Sequence, residues 1–283
     1  MTAEEYNIRS MTKLGWTREH LGLSESATFT EITEAVAEFQ REQDLAVDGK
    51  CGPNTWRRLQ TQAEFIAHER YPDAKGFITV GGVLKPVPFK SIPCTPDSAY
   101  SLIGAGHSTR RKDPISVVWH WDAALSAESC YKILKKRGIS CHGSIDNDGT
   151  LLQHLDFKDH VGWHAGDRKM NKVSLGFEIS NAVYMKYQKY YAKRWGERPV
   201  WTAKVHNSTP TFLGLYETQI QTCIDLSNFI YKEFGIPLVH PDSTTVIDEP
   251  WNFEGHMSHL HITKRKWDIA GFPFDRVMEE AGQ

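Results

Sequence analysis

Five of the 13 prolines fall within residues 65–97, at Pro72, Pro86, Pro88, Pro93 and Pro96, with Gly81 and Gly82 among them. Proline lacks an N–H and has a fixed φ, so neither a helix nor a central strand runs through such a stretch. A chain of 283 residues with this interruption is expected to fold as two units. Residues 65–97 then form a connector, either an extended tether or a strap over the second unit, with room for a short strand between Val80 and Phe89.

The patterns on the two sides differ. Residues 1–64 read as a small all-α domain of three helices. The first covers about 6–14. The second starts at Thr28, where Thr28 and Glu31 have the spacing of a capping box, and buries Ile32, Val36 and Phe39 on one face. A turn through Asp48-Gly49 and Gly52-Pro53 leads to a third helix over 54–62. Residues 98–283 read as α/β, a mixed sheet flanked by helices. Residues 115–120 form a buried strand, and 126–137 a helix closed by Gly138. Residues 139–145 and 150–155 flank a hairpin-like Asp146-Asn147-Asp148-Gly149. Residues 174–180 alternate, with Leu175, Phe177 and Ile179 on one face and Ser174, Gly176, Glu178 and Ser180 on the other. Residues 217–234 form a long amphipathic helix that ends at Gly235.

Composition removes several functions. With 40% hydrophobic residues the chain can bury a core, and a net charge of -2 gives no basic field for nucleic acid or an anionic membrane. No apolar run approaches the roughly 20 residues of a membrane span. The first residues, MTAEEYNIRSMTK, lack the basic and apolar regions of a secretory signal, so synthesis in a cytoplasm and export by another route are expected. Five cysteines without a C-x-x-C pair argue against a disulfide framework, and all five read as structural. Residues 182–215 mix Tyr184, Tyr187, Tyr190, Tyr191, Trp195 and Trp201 with Lys186, Lys189, Lys193 and Arg194. Such a stretch can stack on sugars or bases, but packing on the body as a hairpin is the expected reading.

The histidines carry the chemistry. There are 13, and His120 ends the buried strand Val117-Val118-Trp119-His120, a rigid support for a metal ligand. A second group follows in Gly255-His256-Met257-Ser258-His259-Leu260-His261, with Lys266-Trp267-Asp268 shortly after. Two imidazoles and a carboxylate suit tetrahedral zinc with its fourth position open to water. Glu178, on the small and polar face of its strand, is placed to exchange protons with a substrate, and Lys266 to stabilise an oxyanion.

Taken together, Val118-Trp119-His120, Ser140-Cys141-His142-Gly143-Ser144-Ile145, Asp148-Gly149-Thr150, Val161-Gly162-Trp163-His164-Ala165-Gly166, Ser174-Leu175-Gly176-Phe177-Glu178 and Lys266-Trp267-Asp268 occur in order. In this they resemble the zinc-dependent N-acetylmuramoyl-L-alanine amidases related to peptidoglycan-recognition proteins, common among phage endolysins. The resemblance covers about residues 98–278. It implies a Zn2+ held by His120, one histidine of the 256–261 group and Asp268, with Glu178 and Lys266 as the catalytic pair. For the second histidine, spacing to Asp268 favours His259, the preceding glycine favours His256, and His261 comes last. His164 is expected to shape the substrate groove and His142 to be structural. Residues 1–64 resemble a three-helix peptidoglycan-binding module through Ala35-Val36-Ala37-Glu38-Phe39-Gln40, Asp44-Leu45-Ala46-Val47-Asp48-Gly49 and Thr55-Trp56-Arg57-Arg58-Leu59.

The resemblance implies peptidoglycan, both glycan strand and stem peptide, as the partner of a monomeric, antimicrobial enzyme of bacteriophage type. No nucleic acid and no membrane insertion are expected, and a holin-type route releases the enzyme to the wall. The rival expectations are a zinc peptidase cutting the stem peptide, suggested by His259-Leu260-His261, and a non-catalytic recognition protein on the same fold.

Overall fold

The computed structural model describes residues 1–95 and 98–283, so Pro96 lies outside the described residues. Three helices build the N-terminal unit, α1 (Ala3–Leu14), α2 (Phe29–Glu42) and α3 (Pro53–Arg70). At the start of α2 the Thr28 hydroxyl accepts from the Glu31 N–H, and the Glu31 carboxylate accepts from the Thr28 N–H. Thr2 and Glu5 repeat this box at α1, which therefore starts before Tyr6. Ile32, Val36 and Phe39 pack with Trp16, Trp56 and Leu59. The Gln40 amide oxygen accepts from the N–H groups of Asp48 and Gly49, and Asn7 spans the Gly49 carbonyl and the Cys51 N–H. These buried amides hold the turn closed. Helix α3 outruns its expected end near Gln62 because no breaker occurs before Pro72, and the residue preceding a proline disfavours helix.

Of the two forms open to residues 65–97, tether or strap, the structure has the strap. Strands β1 (Gly76–Val80) and β2 (Val83–Val87) form an antiparallel hairpin, and β3 (Ser91–Ile92) follows. Pro86 is tolerated inside β2 because half the N–H groups of a two-stranded ribbon face outward and need no partner. The turn residues Gly81 and Gly82 have φ of 60° and 79°, and both donate to the Asp156 carboxylate, at 2.9 and 2.8 Å.

The second unit continues with β4 (His107–Thr109), β5 (Ser116–Trp121), α4 (Ala127–Arg137), β6 (Gly143–Ile145), β7 (Leu151–Gln153), β8 (His160–Gly162), α5 (Arg168–Val173) and β9 (Ser174–Ile179). After these come α6 (Gln188–Ala192), β10 (Val200–Thr202), β11 (Thr211–Leu213), α7 (Glu217–Phe234), β12 (Gly255–Ser258) and α8 (Phe274–Ala281). Six strands make one mixed sheet in the order β12-β5-β9-β6-β7-β3. Every neighbouring pair is parallel except β6–β7. The strap thus supplies the edge strand. Alternation splits the central strands: Val117, Trp119, Trp121, Leu175, Phe177 and Ile179 enter the main core beneath α7 and α8. The opposite face is left to His120 on β5 and to Ser174, Gly176 and Glu178 on β9.

Residues 182–215 pack on the body, through α6, the β10–β11 hairpin and the buried Arg198. The Arg198 guanidinium lies 4.3 Å from the ring centres of both Tyr191 and Tyr216. It donates to the carbonyls of Gly214 and Ser180 and to the side-chain oxygens of Gln219 and Asn147. All five cysteines are buried and unpaired. No helix among the described residues is long and apolar enough to cross a membrane. Replacing Arg198 by Ala leaves four buried acceptors without a charged donor, at a cost of about 3 kcal/mol. The second unit should then melt roughly 10 °C lower by calorimetry; an unchanged midpoint would show that the guanidinium is not structural.

Candidate metal centre

Strands β5, β9 and β6 set three side chains in a row, with His120 opposite Glu178 and Glu178 opposite Ser144. His120 is 2% exposed at the end of β5. Its Nδ1 lies 3.1 Å from Asp268 Oδ2. On the other side of that carboxylate, His259 Nδ1 lies 3.2 Å from the same oxygen. His120, His259 and Asp268 are all buried and offer ligand atoms within 4.8 Å of one another, the one such His/Cys/Asp/Glu group among the described residues.

The other two histidines of the 256–261 group point elsewhere. His256 lies on β12 opposite Val117, so alternation turns its ring into the core, where Nδ1 accepts from Trp119 Nε1–H at 3.3 Å. His261 is fixed by its own chain: Nδ1 accepts from the Ser258 N–H and Nε2–H donates to the Ser243 carbonyl at 2.8 Å. His259 stands in a single 3-10 turn after β12 and reaches back over the sheet.

Whether these residues suit a metal can be tested on His259. Its Nε2 lies 3.1 Å from the Ala165 carbonyl oxygen, which only accepts. Nε2 therefore carries the ring proton and Nδ1 is bare. A bare imidazole nitrogen facing a carboxylate oxygen opposes two lone pairs, an arrangement relieved by a cation between them. Two imidazoles, each held by a partner outside the cluster, and one carboxylate fit a zinc ion with an open fourth position. Burial pulls the His120 pKa down to about 4, leaving the ring in the neutral, ligating form at neutral pH.

Glu178 lies beside this cluster. Its Oε2 is buried and has no hydrogen-bond partner among the described residues. Burial, then the charges of Asp122 and Asp268, push its pKa well above the usual value. Lys266 remains exposed, yet its charge is close enough to favour the ionised form of Glu178 and the neutral form of His120. Between Lys266 and Asp268, Trp267 packs on Trp121 and Phe212 at ring distances of 4.8 and 5.6 Å, anchoring the segment.

Two histidines complete the surroundings. His142 is structural, with Nδ1 accepting from the Gly176 N–H at 2.9 Å. His164, expected to shape a groove, is partly exposed and sits against His120, its Nδ1 3.0 Å from His120 Nε2. Its neighbour Trp163 is exposed, at 46%. Sequence reasoning missed Asp122, a half-buried residue whose carboxylate accepts from the N–H groups of Ala124 and Asn181 and from the Ser180 hydroxyl. Burial raises its pKa to about 7 against those donors. Its place two residues after His120 on an outgoing strand was the available signal. Ala165 acts through its backbone, which no side-chain pattern announces.

Residues 23–59 match the sequence model of a putative peptidoglycan binding domain. No curated protein matches the chain. Among solved structures, AmpD, as its selenomethionine derivative, is similar at 16% identity and a TM-score of 0.38, covering 68% of this chain and 93% of its own. The Ph2119 endolysin from Thermus scotoductus MAT2119 bacteriophage Ph2119 is similar at 16% identity and a TM-score of 0.35, covering 62% and 90%. PlyL is similar at 11% identity and a TM-score of 0.38, covering 68% and 95%. The sequence model of N-acetylmuramoyl-L-alanine amidase matches residues 110–270, a span that includes every member of the cluster, and the chain belongs to that family.

Proposed function

We propose that this chain is a zinc-dependent wall-lytic enzyme of endolysin type that hydrolyses the amide between N-acetylmuramic acid and L-alanine. In this reading His120, His259 and Asp268 hold Zn2+, Glu178 and Lys266 are catalytic, residues 1–64 bind the wall, and residues 98–283 form the catalytic domain. The observation that carries it is the buried, unpartnered Oε2 of Glu178 beside the converging ligand atoms of His120, His259 and Asp268.

A zinc ion at this position supplies Lewis acidity and makes water a nucleophile near neutral pH. Glu178 takes a proton from the attacking water on Oε2 and returns it to the nitrogen of the departing L-alanine. Its raised pKa suits both halves of that exchange, because a carboxyl poised nearer neutrality both accepts and releases a proton readily. Lys266 places a positive charge beside the scissile carbonyl, where it offsets the negative charge developing on oxygen. Trp267 keeps that lysine and Asp268 in register by burying between them. A unit that adheres to the polymer raises the local concentration of scissile bonds around the site.

The bond assignment is tested by mass analysis of digested peptidoglycan. Free stem peptides beginning at L-alanine are expected; fragments cut within the stem would make the protein a peptidase. Glu178→Ala should lower kcat by at least about 100-fold, the usual scale for losing a general acid–base, while zinc content stays at the unaltered level. Full activity in that variant would remove Glu178 from the reaction. Dialysis against a strong chelator should abolish lysis and added Zn2+ should restore it, so undiminished activity in verified metal-free protein would sink the zinc assignment.

A further inference from the structure

We infer that His164, Ser174 and Gly176 form a positioning relay that fixes which nitrogen of His120 faces the metal, an inference that rests on the reading of His120 as a metal ligand. The chain of logic starts at its far end. Ser174 Oγ has one proton and donates it to the Met170 carbonyl oxygen at 2.7 Å. Toward His164 Nε2, 3.2 Å away, that hydroxyl oxygen can only accept. His164 Nε2 therefore carries the ring proton and His164 Nδ1 is bare. The bare nitrogen lies 3.0 Å from His120 Nε2, which must donate to it. A neutral His120 is left with a bare Nδ1, the atom 3.1 Å from Asp268 Oδ2. Reversing any one proton alone would set two donors or two lone pairs face to face, and reversing all of them would take the Ser174 hydroxyl from the Met170 carbonyl.

The relay has a built bed. Ser174, Gly176 and Glu178 share one face of β9, and the His164 ring lies over the middle position. A Cβ on Gly176 would fall inside the ring atoms of His164, so any other residue there displaces it. One strand face thus carries the acceptor for His164, the space for His164 and the catalytic carboxylate. The Asn171 side-chain oxygen accepts from the N–H groups of both His164 and Ala165, at 3.2 and 2.8 Å. A single loop therefore addresses both metal histidines: His164 sets the tautomer of His120, and the Ala165 carbonyl sets that of His259.

The test has two parts. Long-range 1H–15N spectra of the metal-free chain should show His120 and His164 both protonated on Nε2; a His164 protonated on Nδ1 overturns the relay without reference to zinc or activity. Zinc affinity, measured by competition with a chromophoric chelator, should fall about 10- to 100-fold in Ser174→Ala and Gly176→Ala. Ser174→Thr, which keeps the hydroxyl, should recover most of the loss. Unaltered affinity in a folded Ser174→Ala overturns the relay and leaves the ligand assignment standing. Failure of the unaltered chain to take up zinc overturns the ligand assignment, and the relay with it.

Discussion

Two ring nitrogens and a carboxylate oxygen converge in the second unit on one buried point, and none of the three has a proton to offer the others. Such a cluster is unfavourable unless a cation occupies its centre, so the fold must hold it together by other means. It does so from several directions. His120 is fixed by β5, flanked by β12 and β9 in a sheet whose other face is the main hydrophobic core. His259 is held by the turn after β12 and by the Ala165 carbonyl, and Asp268 by the burial of Trp267 beside it. The apolar packing beneath the sheet offsets the cost of bringing these acceptors together above it.

The parallel register of β5 and β9 does the rest of the assembly. Trp119 stands opposite Phe177 and enters the core, so their neighbours His120 and Glu178 stand opposite each other on the far face. A slip of one residue in either strand would put an imidazole or a carboxylate into the core and a large aromatic into the site. The register is therefore protected by the same residues that make the core. The glutamate then meets a second carboxylate, Asp122, which three donors and the nearby Arg198 hold in place. Arg198 also staples the 182–215 segment to the body through the Gly214 and Ser180 carbonyls and the Gln219 and Asn147 side chains.

Much of this was legible from sequence wherever the information is local. The Thr28-Glu31 box, the glycines that close α4 and α7, and the alternation of residues 174–180 each arise from a few neighbouring residues, and each appears in the structure as read. The choice among His256, His259 and His261 was not local. Spacing to Asp268 favoured His259, but what excludes His256 is its pairing with Val117, which turns it toward Trp119, and no pattern within 256–261 contains that information. His164 escaped for a similar reason: its motif marks it as important, while its partner His120 is 44 residues away in sequence. The strap was half legible. Its prolines excluded a helix or a central strand, but a two-stranded ribbon and an edge strand tolerate them, and pairing with β7 is a tertiary fact.

The strap also bears on what an adhesive N-terminal unit could do. A loose tether would leave the catalytic face free to sample many orientations and would raise only the local concentration of substrate. Here the turn of the β1–β2 hairpin is bound through Gly81 and Gly82 to Asp156 of the second unit. The same turn touches the first: a side chain on Gly82 would meet His20 and Thr17. Both glycines are favoured by their positive φ, and at Gly82 a side chain would also press on His20 and Thr17. With the turn wedged between the units, the first is docked rather than trailing. For the wall-binding role proposed for residues 1–64, docking means that adhesion also restricts orientation. Each polymer contact then presents the scissile bonds to His120 and Glu178 from a limited set of directions, and part of the entropic cost of productive binding is met before the substrate arrives.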